Sequence, residues 1–326
     1  MFLSLLIVGL VLLLAGGTGL VAGASGIASR FGVSPLVVGL TIMAFGTSSP
    51  ELMVNVVGAL RGESELAFGN VAGSNLANLG LVLGVAAVIK PVTIQGLLVR
   101  RELPFLLLGT SILMVLMLDG PLEGTAATVG RSDGLVLLLL FSVFVYITVR
   151  DFLTTRQDAL IDNMLELHDA LPETREKALG SYWLYLAGGM IGLGLGGHLT
   201  VVYGSAFAAS MGVSPLVIGL VVVAIGTSLP ELVTSAIAAS KNESDLCVGN
   251  VVGSNIFNSL VVLPISALLR PVPVPAGGLL DIFLSLVLAI VLITVFYLGE
   301  ARMDRKTGAV FVVFYLGYMT QRVLLA

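Results

Sequence analysis

The chain contains a copy of itself. Shifted by 180 positions, residues 31–92 lie over 211–272 without a gap, and 31 of the 62 aligned positions are identical. GVSPL, GTSxPEL, ESxL, GNV and GSNxxN recur in the same order at that offset. Unrelated apolar segments share scattered Leu and Val, but they do not also hold Pro, Glu, Asn and Gly in register. The chain is an internal duplication, and its fold must accommodate two copies of one unit.

Composition decides the solvent of that unit. Hydrophobic residues make up 57% of the 326 positions and charged residues 11%, with a mean hydropathy of +1.06. A soluble domain carries about 25% charged residues, so this chain has too few to cover a water-facing surface. Apolar runs of about 20 residues recur, long enough to cross a hydrocarbon core of roughly 30 Å. Bounded by charges and turn residues, they predict ten spans at 2–28, 35–60, 66–89, 103–118, 134–149, 181–209, 215–240, 246–269, 279–299 and 308–325. Turns are expected at 30–34, 119–133 and 210–214. The first apolar run has no basic segment before it and no small-residue cleavage site, so it reads as a span and not as a signal peptide. Eleven charged residues crowd positions 150–177. This linker, 150–180, reads in part as an amphipathic helix and is too short for a regulatory domain.

The expectation is therefore an all-α membrane protein with an N-terminal five-helix repeat at 1–149 and a C-terminal one at 181–326. The duplicated cores are about 35–90 and 215–270. Five crossings leave the chain on the opposite face, so the second copy enters upside down. Such inverted repeats characterise many secondary transporters, which bind substrate at the repeat interface. Basic residues give the orientation. One side carries Arg61, Arg131, Arg270 and Arg322, and the other carries the remaining twelve Lys and Arg. The linker is thus expected in the cytoplasm and both termini outside, in a plasma (inner) membrane.

The chemistry sits at two matched breaks. Span two contains Gly46-Thr47-Ser48-Ser49-Pro50-Glu51, and span seven contains Gly226-Thr227-Ser228-Leu229-Pro230-Glu231. Each proline lacks an N–H and clashes with a preceding carbonyl, so helices 2 and 7 should bend or break there. Carbonyls around Ala44–Thr47 and Ala224–Thr227 would then lack helical donors, a state tolerated in lipid only if something else, such as a cation, satisfies them. Thr47 and Glu51, and Thr227 and Glu231, are four apart and share a helix face. Glu51 and Glu231 are the only carboxylates expected deep in a span, at a cost of about 2.5–3.5 kcal/mol each on insertion scales. Asn70, Ser74 and Asn78 in span three match Asn250, Ser254 and Asn258 in span eight, each trio on one stripe. Gly69, Gly73, Gly249 and Gly253 beside them would permit close backbone approach. Asn70 and Asn250 suit hydrogen-bonding glue between helices as well as they suit a site.

Every candidate ligand is an oxygen. The single cysteine, Cys247, and the two histidines, His168 and His198, supply no thiolate or imidazole cluster. That selects hard cations over zinc, copper or iron. Calcium accepts 6–8 oxygens in flexible geometry, two carboxylates balance one Ca²⁺, and the same oxygens suit sodium.

At these residues the chain resembles the calcium/cation antiporter superfamily, specifically the prokaryotic sodium/calcium exchangers. The resemblance rests on GTSSPE…GNVAGSNLAN and GTSLPE…GNVVGSNIFN and extends through the 5+5 layout of the whole chain. It implies that Glu51 and Glu231 bridge the central cation sites. Thr47, Ser48, Ser74, Thr227, Ser228 and Ser254 would add hydroxyl or carbonyl oxygens, and Ala44 and Ala224 would add carbonyls. The Gly-rich spans one and six look like the family's sliding pair. Some relatives carry Asp where this chain has Asn258, paired with Asn78; both are neutral here, which leaves the coupling ion and stoichiometry open.

The function expected is exchange of Ca²⁺ for Na⁺ by alternating access. The alternative is exchange of Ca²⁺ for H⁺, because two carboxylates in one desolvated cavity repel each other and one of them could carry a proton when calcium leaves. A passive channel is disfavoured because channels usually assemble identical subunits around an axis. A hydrolase is disfavoured because His198 lies outside both motifs. No cofactor is expected; the partners are the transported cations and the bilayer, with no nucleic acid and no obligate protein partner.

Overall fold

The structure is a computed structural model that describes residues 2–62, 64–93, 96, 98–118, 122, 124–166, 179–211, 224–298 and 301–325. It is an all-helical membrane protein. The helices are α1 (Phe2–Phe31), α2 (Pro35–Thr47), α3 (Ser49–Arg61), α4 (65–89), α5 (98–116), α6 (Arg131–Glu166), α7 (Leu179–Ser210), α8 (Ala224–Thr227), α9 (Leu229–Ser240), α10 (Ser244–Leu269), α11 (Gly278–Leu298) and α12 (Arg305–Leu325). Among the described residues six of these are long and apolar enough to cross a membrane, or seven if the α2–α3 pair, bent by 42°, is one span. The start of the expected span seven, 215–223, and the linker stretch 167–178 with His168 lie outside the described residues, as does Asp119.

Helix boundaries follow hydrogen bonding more than hydropathy. The helix α6 continues to Glu166, past the apolar stretch that predicted its end near 149, so the first half of the expected linker is helix. Two segments of α4 and α10, Ala77–Val82 and Asn258–Val262, are π-helical. Nothing in the apolar spacing announced them, because a π turn inserts one residue without changing the composition.

The core is the pair α4 and α10, whose apolar windows are 72% and 89% buried, against 33% for α1 and α7. The helix α10 packs along α2, and α9 packs against the second half of α4, so each copy's broken helix lies on the other copy's central helix. Glycine makes the first contact possible. A Cβ on Gly253 would lie 2.5 Å from the Leu40 carbonyl oxygen, and one on Gly249 would lie 2.7 Å from that of Leu36. The residues that repeat equivalence would set against Gly69 and Gly73, 216–220, lie outside the described residues.

The helices α1 and α7 form the most extensive pairing in the molecule. Gly9 meets Gly196 and Thr200, Gly16 meets Gly189 and Leu193, and Gly23 meets Leu186, so the two helices run antiparallel. Because α7 is the repeat equivalent of α1, matched helices of the two copies point in opposite directions. Two short ribbons tie the copies at their rims: Val92–Thr93 pairs with Arg302–Met303, and Thr128–Val129 pairs with Val272–Pro273. No alternating pattern marked these two-residue strands in the sequence.

Two further carboxylates, at helix ends and not deep in a span, are removed from water. Glu102 at the start of α5 is 0% exposed and is held by Arg101, which also bridges to Asp151 on α6. Asp281 on α11 is paired with Tyr318 and, at 3.1 Å, with Arg322 on α12. Both acids have an adjacent cation, which compensates for their removal from water.

Candidate functional site

Both helix breaks occur where the prolines predict them. Ser48 has φ −90° and ψ 4° between α2 and α3, and Ser228 has φ −88° and ψ 6° between α8 and α9. Each following segment starts with proline in its first turn, where a missing N–H costs nothing. The breaks place Glu51 and Glu231 in the first turns of α3 and α9, at 0% and 1% exposure. These are the ends of helices whose partial positive charge suits an anion.

The Ala44 carbonyl is not left without a helical donor. Its oxygen accepts the Ser48 N–H at 3.0 Å, so the helix closes one further turn before breaking. The Phe45 oxygen in turn accepts the Ser49 hydroxyl at 2.6 Å. Ala224 opens the last turn before the second break.

Side chains from both copies converge between the breaks. Ser48 Oγ donates to Glu231 Oε1 at 2.9 Å. Thr47 Oγ1 donates to Asn250 Oδ1 at 3.1 Å and lies 3.4 Å from Ser254 Oγ. From the other copy, Thr227 donates to Asn70 Oδ1 at 3.4 Å, and Ser228 Oγ donates to Ser74 Oγ at 3.3 Å. Glu51 feels the charge of Glu231 across this space. Asn78 Nδ2 donates to Asn255 Oδ1 at 2.9 Å, while Asn258 is fully buried with neither amide atom hydrogen-bonded.

The unpaired oxygens define what the site can hold. Both carboxylate oxygens of Glu51 and Oε2 of Glu231 are buried with no donor, as are Oδ1 of Asn78 and Asn258. An ionised carboxylate left so is costly, by several kcal/mol. The described residues contain no cluster of three or more His, Cys, Asp and Glu side chains able to hold a metal. A cation entering here would meet two carboxylates and neutral oxygens, a set that fits a hard ion with flexible coordination.

Residues that the sequence reading did not single out complete the surroundings. Asn70 Nδ2 donates to Asn55 Oδ1 at 2.7 Å, and Asn250 Nδ2 donates to Ser235 Oγ at 3.1 Å. Asn75 Nδ2 reaches Ser259 Oγ at 2.8 Å, and Asn255 Nδ2 reaches the Asn75 carbonyl at 3.1 Å. Asn75 and Asn255 carried a signal, since both belong to the repeated GSN. Asn55 and Ser235 did not, because their identities differ between the copies.

A family model described as "Sodium/calcium exchanger protein" matches residues 1–150 and 181–324. The chain is 35% identical over 317 residues to "Putative antiporter CaxA" of Alkalimonas amylolytica, covering 96% of this chain and 95% of that one. It is 33% identical over 268 residues to "Inner membrane protein YrbG" of Escherichia coli (strain K12), covering 82% and 80%. Among solved structures, the sodium-calcium exchanger NCX_Mj superposes with a TM-score of 0.81 at 28% identity, covering 98% of both chains.

Proposed function

The chain belongs to the sodium/calcium exchanger protein family, and from that premise we propose that it exchanges Ca²⁺ for Na⁺ across the inner membrane by alternating access through one site. That site is centred on Glu51 and Glu231. Thr47, Ser48, Ser74, Asn78 and Ala44 supply further oxygens from the first copy, and Thr227, Ser228, Ser254, Asn258 and Ala224 supply them from the second. The observation that carries this reading is the pair of buried carboxylates with three of their four oxygens lacking any donor. A divalent cation would neutralise both charges together; two sodium ions at the same oxygens would do so one at a time.

In this reading the α2–α3 and α8–α9 pairs each belong to one span, so the twelve helices make ten spans, with 1–149 and 181–326 as inverted five-helix repeats and 150–180 as the cytoplasmic link. The antiparallel docking of α1 on α7 supports the inversion, since these are equivalent helices of the two copies. Twelve basic residues against four support the orientation, with both termini outside. The α1–α7 pair suits the moving part. Its helices meet backbone to backbone along glycines, and it rests on both broken helices, Gly17 against Val233, Met190 against Gly46 and Val201 against Gly226.

The test is radiolabelled calcium uptake into sodium-loaded proteoliposomes diluted into sodium-free, pH-clamped medium. Uptake that needs the outward sodium gradient and vanishes in Glu51→Gln is the expected result. Calcium movement driven only by a pH gradient would replace sodium by the proton as coupling ion. Normal exchange in Glu51→Gln would overturn the site.

A further inference from the structure

The two threonines beside the carboxylates differ from four others in the molecule. Thr18, Thr41, Thr294 and Thr320 each donate to the carbonyl four residues back, at 2.6–3.0 Å. This is the usual outlet for a helical hydroxyl in an apolar setting. Thr47 and Thr227 also reach across the repeat interface, to Asn250 Oδ1 at 3.1 Å and Asn70 Oδ1 at 3.4 Å; for Thr47 the carbonyl of its own helix, Ala44, is the more distant acceptor at 3.4 Å. The repeat offset carries one contact into the other, since Thr47 is equivalent to Thr227 and Asn70 to Asn250.

The sense of these bonds is determined by the asparagines. Asn70 Nδ2 donates to Asn55 Oδ1, and Asn55 Nδ2 in turn donates to the Ala67 carbonyl at 3.3 Å. Asn250 Nδ2 donates to Ser235 Oγ. With the amide nitrogens committed on the far side, each asparagine presents its oxygen to the threonine. An amide oxygen has lone pairs and no hydrogen, so the threonine must be the donor.

A hydroxyl has one hydrogen and two lone pairs, and a cation accepts only the lone pairs. We infer that Asn70 and Asn250 are positioning residues for the cation site, each taking the hydrogen of the facing threonine so that Thr227 and Thr47 turn lone pairs toward the ion. Asn55 and Ser235 hold the two amides in the required sense. This rests on the proposed cation site and adds a specific claim: the asparagines act through the threonine hydroxyls, beyond any role in packing helices together.

The claim is tested by a double-mutant cycle on the full chain in proteoliposomes, reading KM and kcat for sodium-driven calcium uptake. Thr47→Val and Asn250→Leu are each expected to raise the calcium KM roughly 10-fold, the scale of one hydrogen bond to a charged site. In each, kcat should stay within about 2-fold, and the double variant should be no worse than Thr47→Val alone, because the asparagine then has no hydroxyl to orient. Thr47→Ser, which keeps the hydroxyl, should raise the KM less than Thr47→Val does. Additive effects, or a fall in kcat with an unchanged KM, would reduce Asn250 to interhelical packing and overturn the inference. If Asn250→Leu does not fold, Ser235→Ala keeps the asparagine but frees its amide to turn. It should raise KM about 3-fold, an effect absent in the Thr47→Val background, and an unchanged KM would overturn the inference. Wild-type protein that moves no calcium would overturn the cation reading itself, and the inference with it.

Discussion

The two copies share their residues at the site but not their hydrogen bonds. Ser48 and Ser228 occupy matched breaks, with backbone angles that agree within a few degrees. Ser48 donates to the carboxylate of the opposite copy, Glu231, whereas Ser228 donates to Ser74 and leaves both oxygens of Glu51 without a donor. A parallel difference appears at one rim. Ser25 on α1 donates to Glu243 at 2.8 Å, at the start of the opposite copy's central helix, while its equivalent on α7, Ser205, has a buried hydroxyl with no partner among the described residues, which do not include Glu63, the equivalent of Glu243. Duplication sets equivalent groups in place, and a single conformation satisfies them unequally. A transporter that alternates between two faces needs this inequality, because a fully symmetric arrangement would open both faces alike.

The comparison can be broken at several points. The largest effect is expected at the carboxylates. Glu51→Gln and Glu231→Gln should each lower calcium exchange by at least about 100-fold, the range for deleting one member of a buried charge pair. Equal losses measured by isotope flux would show that the cation needs both copies, and normal exchange in either variant would overturn the site. Next come the glycines of the α1–α7 seam. A Cβ at Gly16 or Gly196 would lie 2.6 Å from a backbone nitrogen of the facing helix, so backbone must shift. Gly16→Ala and Gly196→Ala should each destabilise the pair by about 1–3 kcal/mol. Both should show the same fall in melting temperature and in flux, while Gly188→Ala, with no atom near its Cβ position, should change neither.

The serines give a smaller and deliberately unequal effect. Ser48→Ala should raise the calcium KM about 10-fold, since a hydrogen bond to a carboxylate is worth about 1.5–3 kcal/mol. Ser228→Ala, which removes only a hydroxyl–hydroxyl bond, should raise it by no more than about 3-fold. Equal shifts would mean that the hydrogen-bond asymmetry has no bearing on ion binding. The smallest change is expected at the rim. Ser25→Ala should alter the flux by about 2-fold and Ser205→Ala by less, because the first breaks a half-buried bond and the second breaks none among the described residues. Flux assayed in both directions would separate the two.

The sequence exposed most of the proposed site because proline, glutamate and the GSN segment stand at fixed offsets, and duplication doubled each signal. Glu51, Glu231, Thr47, Ser48, Ser254 and Asn250 were all readable in this way, and the structure brings them together. It exposed the environment of the carbonyls less well. The Pro50 break was legible, but the extra turn that returns a donor to Ala44 depends on the backbone angles of Ser48. The burial of Glu102 and Asp281 was not legible, because burial at a helix end depends on what packs there. Arg101, beside Glu102 on α5, reaches Asp151 on α6, and Asp281 on α11 meets Arg322 on α12.

By itself the sequence determined the membrane environment, the duplication, the two breaks and the chemistry of the ligand set. Each of these follows from composition or from residues a few positions apart, where local sterics and transfer free energy decide. The tertiary structure alone decided which hydroxyl meets which carboxylate, that α1 and α7 dock antiparallel, and that Asn55 and Ser235 stand behind the asparagines that face the threonines. Such choices link groups separated by up to about 200 positions along the chain. The same polar side chain has several partners within reach once the helices pack, and packing geometry, set by glycines and π turns, selects among them.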